Sequence, residues 1–142
     1  MITYIIDTNA LISFVTDRNM GQQERMKEVL ESAAQLKCRI LCPQNVIAEF
    51  VYVLDKVYGV ETLKIRTMVS DFLEMTGVEI LHELDYKTLF TLWPEPINDF
   101  ADAIIASIAR LQKNALIVTF DKKLIAALRK MEIPAERFLK HK

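Results

Sequence analysis

Short apolar runs alternate with longer amphipathic stretches along the chain. Four apolar runs predict strands, at residues 3–6, 39–42, 78–81 and 115–120. Apolar positions at helical spacing between and beyond these runs predict helices over residues 9–16, 23–36, 45–58, 61–77, 85–93, 99–112 and 122–131. A short last strand is predicted near residues 137–139. Because helix follows strand repeatedly, the pattern indicates a parallel, doubly wound α/β sheet.

The composition is that of a globular protein. The chain has 142 residues, of which 51% are hydrophobic and 26% are charged, and no linker or repeat divides it. We therefore expect one domain over residues 1–142. No apolar run approaches the roughly 18 residues of a membrane helix, and no signal peptide is recognisable, so we expect a cytoplasmic protein without a membrane partner. Cys38 and Cys42 have no further Cys or nearby His to complete a zinc site and are predicted as reduced core residues.

Two carboxylates follow directly after predicted strands. Asp7 ends the first strand, and Thr119 and Asp121 stand at the end of the strand over residues 115–120. Ligands bind beyond the carboxyl ends of the strands in an open parallel sheet, so these acids point toward the expected functional crevice. Taken alone, each acid is better explained as the N-cap of the following helix.

Glu49 interrupts an otherwise apolar helical stretch. Its neighbours at helical spacing include Val46 and Val53, and an ionised carboxylate on such a surface is costly unless it is paired or bound to a cation. An edge position that lets the carboxylate reach water is an equally good explanation.

A third cluster contains Asp99 and Asp102, three residues apart at the start of a predicted helix. Both acids lie on the same face of its first turn, where the helix dipole favours negative charge. Capping by Asn98 or Asp99, with Asp102 in the place of a capping-box acid, is the structural alternative.

Taken together, the acids suggest a metal site. The parallel sheet brings Asp7, Asp102 and Asp121 to one rim and leaves Glu49 on an adjacent helix. Crowded carboxylates raise one another's pKa values unless a cation intervenes. Ligands that offer only oxygen atoms indicate Mg²⁺ or Mn²⁺.

Four motifs carry a family resemblance over essentially the whole chain. The stretches "YIIDTNALISF", "NVIAEFVYVL", "INDFADAIIASIA" and "LIVTFDKKL", in this order and spacing, resemble the PIN-domain family of metal-dependent ribonucleases, which includes the toxin subunits of VapBC-type toxin–antitoxin pairs. The resemblance implies a three-layer α/β/α sandwich around a central parallel twisted sheet, with an acidic pocket for one or two Mg²⁺ or Mn²⁺ ions. It further implies an RNA substrate, a homodimer and, for a toxin, an antitoxin partner.

The resemblance also assigns roles to residues. The acids of the family match Asp7, Glu49, Asp102 and Asp121, and Asp99 matches an additional acid that some members show. We expect Asp7 and Asp102 to be the best metal ligands, Asp121 and Glu49 to be ligands or positioners of water, and Asp99 to be an optional ligand. Asn9 and Thr119 match supporting polar residues.

The chain has a net charge of −1 and therefore lacks the excess of basic residues that many nucleic-acid binders show. The negative charge of a polyanionic substrate must then be offset by groups close to the binding site. Bound metal would help, and nearby basic residues are Arg18, Arg110, Lys113, Lys122 and Lys123.

Two other functions compete with a ribonuclease. An Asp-dependent phosphatase or phosphotransfer domain would share Asp7 and the sheet, but the dehalogenase pattern wants a second Asp where Asn9 stands. A catalytically silent RNA-binding module of the same fold would usually lack one of the four acids.

Overall fold

The computed structural model of the protein describes residues 1–136 and contains one five-stranded sheet. All neighbouring strands pair in parallel, in the order β3-β2-β1-β4-β5. The strands are β1 (Ile2–Ile6), β2 (Cys38–Pro43), β3 (Val78–Leu81), β4 (Ala115–Val118) and β5 (Ala135–Glu136). Helices flank this sheet, so the predicted α/β/α architecture is confirmed. The strand predicted near residues 137–139 lies outside the described residues.

Seven helices connect or follow the strands within residues 1–136. They are α1 (Thr8–Val15), α2 (Met20–Ala34), α3 (Gln44–Lys56), α4 (Thr62–Glu74), α5 (Tyr86–Leu89), α6 (Phe100–Leu111) and α7 (Lys122–Lys130). None of these helices is both long and apolar enough to cross a membrane.

Two of the predicted helices are too long. The helix predicted over residues 85–93 is regular only through α5, and turns follow it up to residue 96. The helix predicted over residues 61–77 ends at Glu74. Gly77 lies beyond it with a φ of 88° and turns the chain into β3, and a Cβ at this position would lie 2.5 Å from the carbonyl oxygen of Ala33. This close approach to α2 requires glycine.

The core lies on both faces of the sheet. Inner strands contribute fully buried apolar residues, such as Ile5 and Ile6 of β1, Ile40 of β2 and Ile117 of β4. A strand covered on both faces reads as a continuous apolar run, which explains the short apolar segments in the sequence. Cys38 and Cys42 are buried and free, in agreement with their predicted role in the core.

The sheet order places the predicted acids at one rim. β1 lies between β2 and β4, so the residues that follow these three strands meet at the carboxyl edge. The backbone N–H of Asp7 still pairs with the carbonyl of Val118, at 3.2 Å, which fixes the end of β1 against the end of β4.

Candidate metal-binding and catalytic site

Five carboxylates line a single cavity of about 340 Å³ at this rim. They come from widely separated parts of the chain and are the five acids singled out from the sequence: Asp7, Glu49, Asp99, Asp102 and Asp121. Thr8, Asn9 and Arg18 also line the cavity. The fold therefore brings together the acids predicted at strand ends, at a helix start and, for Glu49, on an adjacent helix.

Asp7 is the most buried acid of the cavity, with 6% of its surface exposed. Its Oδ1 accepts a hydrogen bond from the backbone N–H of Ala10 at 2.9 Å, and its Oδ2 accepts a short one from the hydroxyl of Thr119. Burial raises the pKa of Asp7 to about 6, and repulsion from Asp121 and Glu49 adds to this, although the two hydrogen bonds lower the pKa. Asp7 is thus held in one orientation and carries its charge only above mildly acidic pH.

Asp102 occupies the first turn of α6 and is half-buried. Its backbone N–H donates to Oδ1 of Asp99 at 2.9 Å, but no hydrogen bond within residues 1–136 involves its own carboxylate. Burial raises the pKa of Asp102 to about 7, and repulsion from the other four acids contributes, that from Asp99 most strongly. The carboxylate of Asp102 is therefore a destabilised charge with free ligand oxygens.

Small residues hold this turn against the sheet. Ala103 and Ala106 are fully buried on α6, so the helix packs closely behind the acids.

Thr119 joins two of the acids. Its hydroxyl donates to Asp7 and accepts from the backbone N–H of Asp121 at 3.1 Å. Thr119 is fully buried and follows the last residue of β4, whereas the sequence had placed it within the strand. This residue, predicted as a supporting polar group, links the end of β4 to the end of β1.

Glu49, like Asp99, is an exposed acid of the cavity. It is exposed on α3, which agrees with the edge position considered from the sequence. Its Oε1 accepts a hydrogen bond from the hydroxyl of Thr8 at 2.6 Å. Thr8 was not singled out from the sequence. Its position after Asp7 could have suggested a place at the rim, but its contact with Glu49 spans 41 residues of chain and depends on the fold.

Capping and participation in the cavity are not alternatives for three of these acids. Asp7, Asp99 and Asp121 are the N-caps of α1, α6 and α7, and each accepts backbone N–H groups through its Oδ1. Within residues 1–136, no hydrogen bond uses Oδ2 of Asp99 or of Asp121. Capping therefore orients each carboxylate, and in Asp99 and Asp121 it leaves Oδ2 for a ligand.

Arg18 is the basic residue that lines the cavity. Arg110, Lys113, Lys122 and Lys123, which were also considered from the sequence, do not line it. No ion pair within residues 1–136 joins Arg18 to any of the five acids, because its guanidinium is bound to Asn9 and Ser13 instead. Within the described residues, none of the five carboxylates is therefore paired with a basic side chain.

The donor set fits a hard divalent cation. Carboxylate oxygens dominate the cavity, and Mg²⁺ and Mn²⁺ prefer such ligands. Among residues 1–136, no group of three or more Asp, Glu, His or Cys side chains is arranged to hold a metal ion as it stands. The cavity therefore has the ligand chemistry for a metal, and coordination would require its side chains to adjust.

A family model for the PIN domain matches residues 4–130 of the chain. Among curated proteins, no sequence matches significantly.

Solved structures with the same fold include two from bacterial VapBC systems. A chain of VapBC2 from Rickettsia felis, bound to a DNA fragment from its promoter, is 18% identical, with a TM-score of 0.70 over 97% of this chain and 100% of that one. A chain of VapBC-1 from nontypeable Haemophilus influenzae is 17% identical, with a TM-score of 0.63 over 98% and 100%. The PIN domain endonuclease Utp24 is 22% identical, with a TM-score of 0.56 over 99% and 87%. At these identities the similarity shows a shared fold.

Proposed function

The chain belongs to the PIN domain family, and from this premise we propose that it is an endoribonuclease that depends on Mg²⁺ or Mn²⁺. The observation that supports this most strongly is the cavity in which five carboxylates meet and none of them forms an ion pair within residues 1–136. An arrangement that costs stability in the free protein is expected where the charge is needed for binding a cation.

We assign the metal-binding role to Asp7, Asp102 and Asp121, with Glu49 as a further ligand or a positioner of water and Asp99 as an optional ligand. When bound, Mg²⁺ or Mn²⁺ supplies a Lewis acid and offsets phosphate charge during hydrolysis of a phosphodiester. The cation also explains how a cavity of acids can admit an anionic substrate.

The chain's own residues position these acids. The hydroxyl of Thr119 and the N–H of Ala10 fix both oxygens of Asp7, and the hydroxyl of Thr8 orients Glu49. Asn9 acts at the side of the cavity, where it holds Arg18. Positioned carboxylates reduce the reorganisation that the reaction would otherwise require.

The geometry disfavours a phosphatase in which Asp7 is the nucleophile. Both carboxylate oxygens of Asp7 already accept hydrogen bonds, and only 6% of the residue is exposed. An attacking carboxylate needs an accessible oxygen that can reach phosphorus. A fixed carboxylate oxygen that accepts one hydrogen bond can still offer its second lone pair to a cation, so the metal role of Asp7 is unaffected.

We further propose that the protein is the toxin of a toxin–antitoxin pair. The similarity to chains of VapBC structures over nearly their full length supports an antitoxin partner. A homodimer and a cytoplasmic location remain predictions.

The test is cleavage of an end-labelled single-stranded RNA by the purified protein in Mg²⁺ or Mn²⁺. We expect cleavage by the parent chain and by Asp71→Asn, a matched control on the exposed surface of α4. Cleavage should be lost in Asp102→Asn and in excess EDTA. Undiminished cleavage by folded Asp102→Asn would refute the assignment, and RNA binding without cleavage by the parent chain would favour the silent binding module.

A further inference from the structure

A second, smaller pocket adjoins the acidic cavity. It measures about 260 Å³ and is lined by Asn9, Arg18, Asn19, Gln22 and Phe120. Asn9 and Arg18 also line the acidic cavity, so the two spaces share a wall. In contrast to its neighbour, the smaller pocket has no acid in its lining.

Arg18 is held in place between the two spaces. Its Nε donates to the hydroxyl of Ser13 at 2.9 Å, and its Nη2 donates to the carbonyl and the side-chain oxygen of Asn9, both at 2.8 Å. Ser13 is fully buried and in turn donates to Oε1 of Gln22 at 2.7 Å. Within residues 1–136, no hydrogen bond or ion pair uses Nη1 of Arg18. The guanidinium is therefore oriented by uncharged groups and keeps a charged donor for a ligand.

The three amides of the pocket use their oxygens inside the protein. Oδ1 of Asn9 accepts from Arg18, Oε1 of Gln22 accepts from Ser13, and Oδ1 of Asn19 accepts from the backbone N–H of Gln22 at 3.0 Å. No hydrogen bond within residues 1–136 uses their NH₂ groups. Because an amide has two donors on its nitrogen, each of these residues retains hydrogen-bond donors. The lining thus combines one cation with unused donors, which is the chemistry that binds an anion.

We propose that this pocket binds a backbone phosphate of the RNA, next to the phosphate that enters the acidic cavity, and that Arg18 is its principal ligand. The inference rests on the proposed ribonuclease function and names a positioning residue for it. Arginine is suited to the task because its planar guanidinium offers several donors to phosphate oxygens and stays charged. Since Arg18 borders both spaces, one RNA backbone can cross from the pocket to the carboxylates. The acids repel a phosphate, whereas the pocket attracts one.

The experiment measures RNA binding and its salt dependence. A fluorescein-labelled single-stranded RNA is titrated in Mg²⁺ with the Asp102→Asn protein, which should leave the RNA intact, and anisotropy is recorded at several KCl concentrations. We expect Arg18→Gln in this background to weaken binding about tenfold. It should also make the slope of log K against log salt shallower by about 0.7, the value for one lost phosphate contact on a single strand. Arg18→Lys should restore most of the slope.

Two further variants separate a phosphate contact from a structural role. Lys27→Gln removes a positive charge from the exposed surface of the adjoining α2 and should leave affinity and slope within error. Ser13→Ala keeps the charge of Arg18 but removes one of its anchors, so affinity should fall while the slope stays. Thermal unfolding of each variant confirms that it is folded.

An unchanged salt slope in folded Arg18→Gln would overturn the proposal, as would the absence of measurable RNA binding by both the Asp102→Asn protein and the parent protein. Failure of the proposed function has a different signature. If the parent protein binds RNA with the expected dependence on Arg18 but does not cleave it, the phosphate pocket is supported and the proposed nuclease function is refuted.

Discussion

Asp102→Asn should make the protein more stable at neutral and alkaline pH. Asparagine has nearly the same shape as aspartate, and the carboxylate of Asp102 makes no hydrogen bond within residues 1–136 that the change would break. The substitution removes a charge that is half-buried at the start of α6 and is repelled by four other acids.

The shift in the pKa of Asp102 gives the size and the direction of the expected change in stability. Folding raises it from 3.8 to about 7, so the folded protein binds this proton more tightly than the unfolded chain does. Raising the pH through this interval therefore destabilises the folded state, and the loss is complete above about pH 7. The full shift corresponds to roughly 4 kcal/mol. Because Asp102 is partly exposed, screening reduces this to about 2 kcal/mol.

The assay is thermal and urea unfolding of the parent chain, Asp102→Asn and the exposed control Asp71→Asn, in EDTA, at pH 4.5 and pH 8. At pH 8 we expect Asp102→Asn to be about 2 kcal/mol more stable. This corresponds to roughly 4–8 °C in Tm for a chain of this size. Near pH 4.5 the gain in stability should be much smaller, since the carboxyl of Asp102 in the folded parent protein is then mostly protonated. An equal gain in stability at both pH values, or no gain at pH 8, would show that burial and repulsion of the charged Asp102 carboxylate do not destabilise the folded protein.

Three further outcomes are expected. Thr119→Val should destabilise the protein by about 1–3 kcal/mol because it removes a buried donor to Asp7, with the larger loss at pH 8 than at pH 5, measured by urea unfolding. Gly77→Ala should lower the free energy of unfolding by more than about 2 kcal/mol, since its Cβ would meet the carbonyl of Ala33. Gly59→Ala has open space around the new Cβ and should lower it by about 1 kcal/mol, because of its positive φ alone. Equal losses of stability in the two variants would contradict the close packing at Gly77. Mn²⁺ affinity, measured by calorimetry, should rise with pH and level off above about pH 7, because Asp7 and Asp102 must first lose protons; a flat profile from pH 5 to 8 would exclude these two residues as ligands.

The sheet and its acids could be predicted because they depend on local pattern and on a general rule of topology. The predicted strand over residues 3–6 lies within the observed Ile2–Ile6, and that over residues 39–42 lies within Cys38–Pro43. Once the strands are parallel, residues after their carboxyl ends must share a rim.

Details of the segment between β3 and α6 could not be predicted in the same way. The apolar spacing of residues 85–93 is satisfied in the structure by a single helical turn followed by further turns that still bury Leu89 and Leu92. Helical periodicity reports which side chains are buried and not how the backbone arranges them.

The hydrogen bonds between distant residues of the site also could not be predicted from the sequence. Thr8 meets Glu49 and Thr119 meets Asp7 across 41 and 112 residues of chain, and such pairs depend on the packing of whole elements. The sequence predicts only one of the two causes that raise the pKa values of Asp7 and Asp102. Crowding of the acids contributes, but burial is the larger cause for both Asp7 and Asp102.

The long separation between Asp7 and Thr119 has a consequence for protein synthesis. The ribosome makes Asp7 112 residues before Thr119, so the strand that completes the rim beside Asp7 is synthesised long after it. An emerging chain that has folded α1, α2, β2 and α3 still lacks Asp99, Asp102 and Asp121. Because β4 pairs with β1, the nascent chain has no complete acidic cavity until β4 and the first residues of α7 have been made.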